Sequence, residues 1–181
     1  MKFNQHEKNP DIILMKPEIL EDERGYFFES FKVDNFSKNL GREIHFIQDN
    51  ISKSHRNVLR GLHYQLKTPQ AKLISVIKGE IFDVAVDLRQ SSPYFGQTVG
   101  QILSAENKLQ MFIPEGFAHG FLTLSDISEV SYKVNAPYSP ENEKTIIWND
   151  KDLDIDWPFT EDPILSDRDK NAPKLTLSDC Y

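Results

Sequence analysis

Ile81-Phe82-Asp83-Val84-Ala85-Val86-Asp87-Leu88 is the stretch on which the reading of the fold turns. Phe82, Val84, Val86 and Leu88 alternate with Asp83, Ala85 and Asp87, a period of two that belongs to a β-strand. Just before it, Lys78-Gly79-Glu80 reads as a tight hairpin turn leading back to an apolar run at 71–76. Further short apolar-rich runs lie at 57–65, 98–103, 110–113, 120–124 and 129–134. Turn residues separate them, and the eight glycines and ten prolines are scattered, so no flexible linker divides the chain. Many short strands at this spacing predict an all-β protein, a sandwich or barrel, with a jelly roll among the options. One short helix is expected around 33–40, with Asp34 as its cap. From Asp150 onward the chain is rich in Asp and Pro and is expected to wrap as loops with short helical turns.

A length of 181 residues suits a single domain spanning 1–181 with a sizeable core. With 39% hydrophobic and 27% charged residues, the composition is that of a soluble globular protein. The formal net charge of -7 argues against a general nucleic-acid or anionic-membrane binder, where a basic surface supplies affinity. A few local arginines are still free to hold a phosphorylated small molecule. The one cysteine, Cys180, cannot form an internal disulfide, so nothing points to an oxidising compartment. The first ten residues are polar and charged, and no stretch reaches membrane-spanning length. A cytoplasmic protein without membrane or nucleic-acid partners is expected.

The chemistry is concentrated in Arg60-Gly61-Leu62-His63-Tyr64-Gln65, with Lys72 a few residues further along. An imidazole is the usual general base near neutral pH, and it works best with a carboxylate fixing its tautomer. Spacing does not identify that carboxylate for His63. Lys72 shares one face with Ile74 and Val76; it is either a solvent-facing strand end or an inward ammonium that serves a negative charge. Arg60 and His63 would face opposite ways on a regular strand, and a bulge at Gly61 would bring both to one pocket. Arg24, at a turn, suits either a surface salt bridge or bidentate contact with phosphate. Tyr132, on a half-polar strand, is either a packed phenol or an acid facing His63. The run Ser166-Asp167-Arg168-Asp169-Lys170 reads, on its own, as a solvated charge run.

The segment 60–65 together with Pro114-Glu115-Gly116-Phe117-Ala118-His119 resembles the paired signature of a cupin-type jelly-roll β-barrel. The second half, Pro-x-Gly-x-x-His, is kept. In the first half Gln65 replaces the second histidine ligand, and Lys72 lies near the usual carboxylate. An ammonium repels a divalent cation, so the barrel is expected without its metal. The chain as a whole resembles the dTDP-4-dehydrorhamnose 3,5-epimerase family from about Ile13 to about Asp169. The resemblance rests on Arg24-Gly25 with Glu29, Gln48-Asp49-Asn50, the 60–65 segment, Gln70-Ala71-Lys72, Pro114 to His119, Tyr132-Lys133, Tyr138-Ser139-Pro140-Glu141, and Ser166 to Asp169. It implies a reaction with no metal and no cofactor on a dTDP-sugar. In that reading His63 is the base, Asp169 orients it, Lys72 stabilises the enolate at O4, and Tyr132 returns a proton to the opposite face. Arg24, Glu29, Gln48, Asn50, Arg60, His119, Glu143 and Arg168 match positions that hold nucleotide, diphosphate and sugar, and Phe27 and Tyr138 match stacking positions for the base. Arg168 stands where the family commonly has lysine. The resemblance also implies a homodimer in which N-terminal strands reach the neighbouring subunit. The remaining alternatives are a related mono-epimerase acting at C3 or C5 only, a non-catalytic sugar-nucleotide module, and, least favoured, a metal-dependent cupin oxygenase.

Overall fold

A computed structural model describes residues 1–176 and 179–181. In chain order the elements begin with four short strands, β1 (Lys2–Gln5), β2 (Ile13–Lys16), β3 (Leu20–Asp22) and β4 (Gly25–Phe27), and helix α1 (Val33–Leu40). Then come β5 (Gln48–His55), β6 (Leu59–Gln65), β7 (Lys72–Lys78), β8 (Glu80–Asp87), β9 (Thr98–Ser104) and β10 (Gln110–Ile113). The chain finishes with β11 (Phe117–Thr123), β12 (Ile127–Val134), β13 (Glu143–Thr145) and helix α2 (Asp167–Lys170). Two antiparallel sheets face each other in a jelly roll, one ordered β1-β2-β10-β7-β12-β5 and the other β13-β6-β11-β8-β9. The β3–β4 ribbon stands apart from both. The all-β class expected from the sequence is therefore the one that forms.

The alternation in β8 divides its side chains between two apolar layers. Ile81 and Ala85 join Ile74, Val76, Met111, Phe121 and Val130 between the sheets. Val84 and Val86 point the other way, onto Leu59, Leu62, Leu153 and Trp157, where the C-terminal segment covers the five-stranded sheet. A third cluster, Met15, Phe36, Leu73 and Phe112, lies under α1 on the outside of the six-stranded sheet. With both faces of the sheet buried, Asp83 is carried inward beside Ala85 and is fully inaccessible to solvent.

Two local expectations are corrected. Lys78-Gly79-Glu80 is not a hairpin turn, because β7 and β8 belong to different sheets and the turn carries the chain across from one to the other. Gly79 takes φ +76, and a Cβ there would meet the Ile127 carbonyl at 2.2 Å. The cap of α1 is Lys32, which makes no side-chain cap bond. Asp34 lies in the first turn, where its charge favours the positive end of the helix dipole.

Gly61 is a bulge. Pairing of β6 with β11 sets His63 opposite His119 but Arg60 opposite Phe121, so three steps along one strand match two along the other. Leu59 and Leu62 consequently pack outward while Arg60 and His63 both turn toward the space between the sheets. A Cβ on Gly61 would lie 2.6 Å from Gly120 Cα and 2.6 Å from the His119 carbonyl oxygen, and φ at Gly61 is +106. Gly61→Ala is expected to destabilise the protein by about 2–3 kcal/mol in urea denaturation. Gly96→Ala, with φ +75 but open space around the added methyl, is expected to cost only about 1 kcal/mol. Equal costs would show that the backbone conformation, and not the glycine crossing, sets the requirement.

Candidate active site

The inward turn of β6 opens a cleft of about 490 Å³ between the sheets. Arg60, His63, Lys72, His119, Tyr132, Arg168 and Asp169 all line it, with Ser52, Gly120, Phe121 and Ser166. Residues from six separate parts of the chain thus meet. The late part arrives because Ile164 bridges Val58 in parallel, which brings Ser166 and α2 to the mouth. Ser166 caps α2 by accepting the Asp169 N–H at 3.1 Å, and this fixes Asp169 at the first turn.

His63 Nε2 lies 2.6 Å from Asp169 Oδ1. Asp169 is almost completely buried. Burial alone would raise its carboxyl, but the His63 hydrogen bond and charge, the Ser166 hydroxyl and the Gly61 backbone hold it below its ordinary value. The carboxylate accepts from Nε2–H, and in the neutral ring that tautomer leaves the lone pair on Nδ1. A second pair sits deeper, with His119 Nε2 2.7 Å from Asp83 Oδ1. Burial, outweighing Asp83, lowers the His119 pKa, so this imidazole is neutral near pH 7 and donates through Nε2. The other oxygen of Asp83 is buried and, among the described residues, has no hydrogen-bond partner.

Lys72 is buried, and among the described residues its ammonium makes no hydrogen bond or ion pair. Desolvation lowers its pKa to about 8 despite the fields of Asp83 and Glu143. A buried cation without a direct partner is expensive, so it belongs at a place where negative charge arrives. Burial raises the Tyr132 phenol above its ordinary value, against the opposing field of Arg60, and so keeps it a proton donor near neutrality. Arg60 lies at the rim, donating to Ser54 Oγ at 3.0 Å and to the Lys53 carbonyl at 3.2 Å.

A second cleft of about 500 Å³ adjoins the first and shares Arg168 with it; Tyr138 and Glu143 lie in its wall. Tyr138 Oη donates to Glu143 Oε2 at 2.5 Å, and Arg168 donates to the same oxygen at 2.5 Å and to Thr145 Oγ1 at 2.8 Å. Burial would raise the Glu143 carboxyl, but Arg168 and Tyr138 hold it low. The planar guanidinium reaches both acceptors at once, through Nε and one terminal nitrogen. Asn50 pairs across from Tyr132, and Gln48 Nε2 donates to Asn50 Oδ1 at 2.8 Å, so both sit on β5 next to the cleft. Arg24, Phe27 and Glu29 are not brought there. Arg24 is 86% exposed and paired with Asp22 on the β3–β4 ribbon, and Phe27 and Glu29 line a separate small hollow.

The residue that sequence reasoning missed is Asp83. Its signal was present: an acid in a strand with apolar residues on both faces has no solvent side to occupy. Among the described residues, no three His, Cys, Asp or Glu side chains are gathered as a cation would need. Gln65 turns its amide onto loop carbonyls. Lysine NMR with ¹³C at Cε should reveal one resonance titrating near pH 8 that is absent from Lys72→Met; if every lysine titrates above pH 10, Lys72 is not desolvated as described.

A sequence profile of the dTDP-4-dehydrorhamnose 3,5-epimerase family matches residues 7–176. A relative in Pseudomonas aeruginosa carrying that name is 51% identical over 172 residues, 95% of each chain. One in Salmonella typhimurium is 53% identical over 167 residues, covering 92% of this chain and 91% of the other. In solved structures the chain is similar to the dTDP-6-deoxy-D-glucose-3,5-epimerase of Legionella pneumophila in complex with dTDP-4-keto-L-rhamnose. That likeness has a TM-score of 0.93 and 47% identity, covering 96% of this chain and 92% of the other.

Proposed function

The chain belongs to the dTDP-4-dehydrorhamnose 3,5-epimerase family, and we propose that its cleft carries out the family's reaction through His63, Asp169, Lys72 and Tyr132. It is an enzyme of the isomerase class, an epimerase acting on C3 and C5 of dTDP-4-dehydro-6-deoxy-D-glucose to give dTDP-4-dehydro-L-rhamnose. The observation that carries the residue assignment is the His63–Asp169 pair at 2.6 Å opening onto the same cleft as a buried, unpaired Lys72 and a protonated Tyr132.

The hydrogen on C5 is acidic because the electrons left behind delocalise onto the C4 ketone oxygen. In our reading His63 Nδ1 takes that proton, and Asp169 stabilises the imidazolium that results. The Lys72 ammonium meets the enolate charge at O4, and neutral His119, held by Asp83, lines the same side of the sugar. Tyr132 then delivers its phenolic proton to the opposite face of C5, and solvent restores both groups. The same cycle repeats at C3. No metal or cofactor enters this scheme; what supports that is the ammonium near the usual carboxylate position and the Gln65 amide engaged elsewhere. Arg60, Gln48, Asn50, Tyr138, Glu143 and Arg168 are assigned to the diphosphate and nucleotide, along the rim and the adjoining cleft.

We also read residues 1–181 as one epimerase domain, acting in the cytoplasm as a homodimer. The dimer is supported by β5, an edge strand with Ile51 exposed and Ile47 exposed just before it, and by the β3–β4 ribbon, which carries Arg24 and Phe27, with Glu29 just beyond, away from their own cleft. Those three side chains would complete the neighbour's nucleotide site. Among the described residues no helix is long and apolar enough to cross a membrane.

The decisive experiment is proton NMR of the protein with dTDP-4-keto-6-deoxyglucose in deuterium oxide. Deuterium is expected at both C3 and C5; exchange at one carbon alone would identify a mono-epimerase. His63→Ala should lower exchange at C5 by on the order of 10³-fold while dTDP still binds, and retained exchange would remove His63 as the base. Tyr132→Phe should retain exchange at C5 but lose net epimerisation; parallel losses would mean that Tyr132 is not simply the opposite-face acid. The sign of the alkaline limb is set by Lys72. Its ammonium is the active form and its pKa is lowered to about 8, so kcat/KM should fall as pH rises through that value. Lys72→Met should be slower by on the order of 10²-fold and should lack the limb. Mixing His63→Ala and Arg24→Ala subunits should restore activity toward about a quarter of wild type, since each hybrid dimer would hold one intact site. No recovery would place the ribbon in its own subunit's site.

A further inference from the structure

Gln65 lies two residues beyond His63 on β6, is almost wholly buried, and makes four side-chain hydrogen bonds that all lead away from the cleft. We propose that Gln65 is a positioning residue for the reaction: its amide holds the nucleotide end of the site in register with the strand that carries the base. The inference rests on the assignment above of Tyr138, Glu143 and Arg168 to the nucleotide.

The amide reaches two loops at once. Nε2 donates to the Thr68 carbonyl at 2.8 Å and to the Pro137 carbonyl at 3.1 Å, with Thr68 Oγ1 at 3.2 Å. Oε1 accepts the Ser139 N–H at 2.7 Å. Residues 137 and 139 are thereby fixed on either side of Tyr138, whose ring is itself 54% exposed and has little packing to direct it. The chain then returns to β6, where Glu143 lies directly opposite Gln65. Glu143 joins Tyr138 to Arg168, and Arg168 is followed by Asp169, which holds His63. A ring of contacts therefore leaves β6 at Gln65 and comes back to it at His63.

The chemistry demands a neutral amide of this length. Glutamate would keep the bond to Ser139 but face two carbonyls with a charge, and leucine would fill the volume with no bonds at all. Lysine and arginine offer no acceptor. The side chain at this position is a strut between loops.

Calorimetry with dTDP and steady-state kinetics on Gln65→Leu and Gln65→Glu test the proposal. Both variants are expected to raise Kd for dTDP and KM for the sugar nucleotide about tenfold, while kcat changes by no more than about twofold. The glutamate variant keeps the Ser139 bond and serves if the leucine variant does not fold. Unchanged Kd and KM in a folded variant would overturn the inference, as would a loss confined to kcat. A wild-type protein that neither binds dTDP nor turns over the sugar would overturn the functional reading and this inference with it. Normal wild-type behaviour with unaffected variants would overturn the inference alone.

Discussion

Everything in the cleft depends on two backbones crossing where neither residue carries a side chain. Gly61 and Gly120 meet so closely that a methyl on either would collide with the other strand's main chain. The bulge at Gly61 moves the face of β6 by one residue, so that Arg60 and His63 share an interior that a regular strand would have divided between them. The same shift keeps Leu59, Leu62 and Tyr64 packed beneath the C-terminal segment. Without that close approach, either the apolar layer or the His63 imidazole would face the wrong way.

The electrostatics of the site arise from burial applied unequally to similar groups. Two histidines each bond a carboxylate through Nε2, at 2.6 and 2.7 Å. His63 is partly open to the cleft, while His119 is buried and kept neutral. Lys72 has its charge loosened by desolvation, against which the fields of Asp83 and Glu143 act. A group held in this way gains most when an anion forms beside it, which is the condition for differential stabilisation of an enolate.

The parts legible in the sequence were those with an apolar inner face. The runs that became β6 to β12 are short, apolar-rich and bounded by turn residues, and β8 shows the period of two most clearly. Strand β5 was not visible, because its half-buried positions Gln48, Asn50 and Ser52 are polar. They are polar because that face borders the cleft, and the apolar alternation test fails where a strand serves chemistry. The ribbon β3–β4 is exposed at every position and left no pattern to find. Among site residues, the motif at 60–65 and Lys72 were identifiable by type and spacing. The partner of His63 was not, since it lies 106 residues away. Only the resemblance singled out Asp169 within a charge run that otherwise reads as solvent-facing. Alternation alone does not single out Asp83, because a period of two does not tell whether the second face is wet, and both sides of β8 are covered.

The route by which Asp169 reaches His63 links the cleft to the C-terminal layer. The carboxylate is carried by the segment beyond Asp150, which wraps over the five-stranded sheet, seats Trp157 and Leu153, and bridges Ile164 to Val58. With its partners 106 residues apart, the pair closes a far longer loop than any hairpin in the two sheets. A chain with that segment detached would keep its imidazole and its ammonium but lack the carboxylate that sets the His63 tautomer. The orientation of His63 is therefore only as secure as the docking of the C-terminal layer.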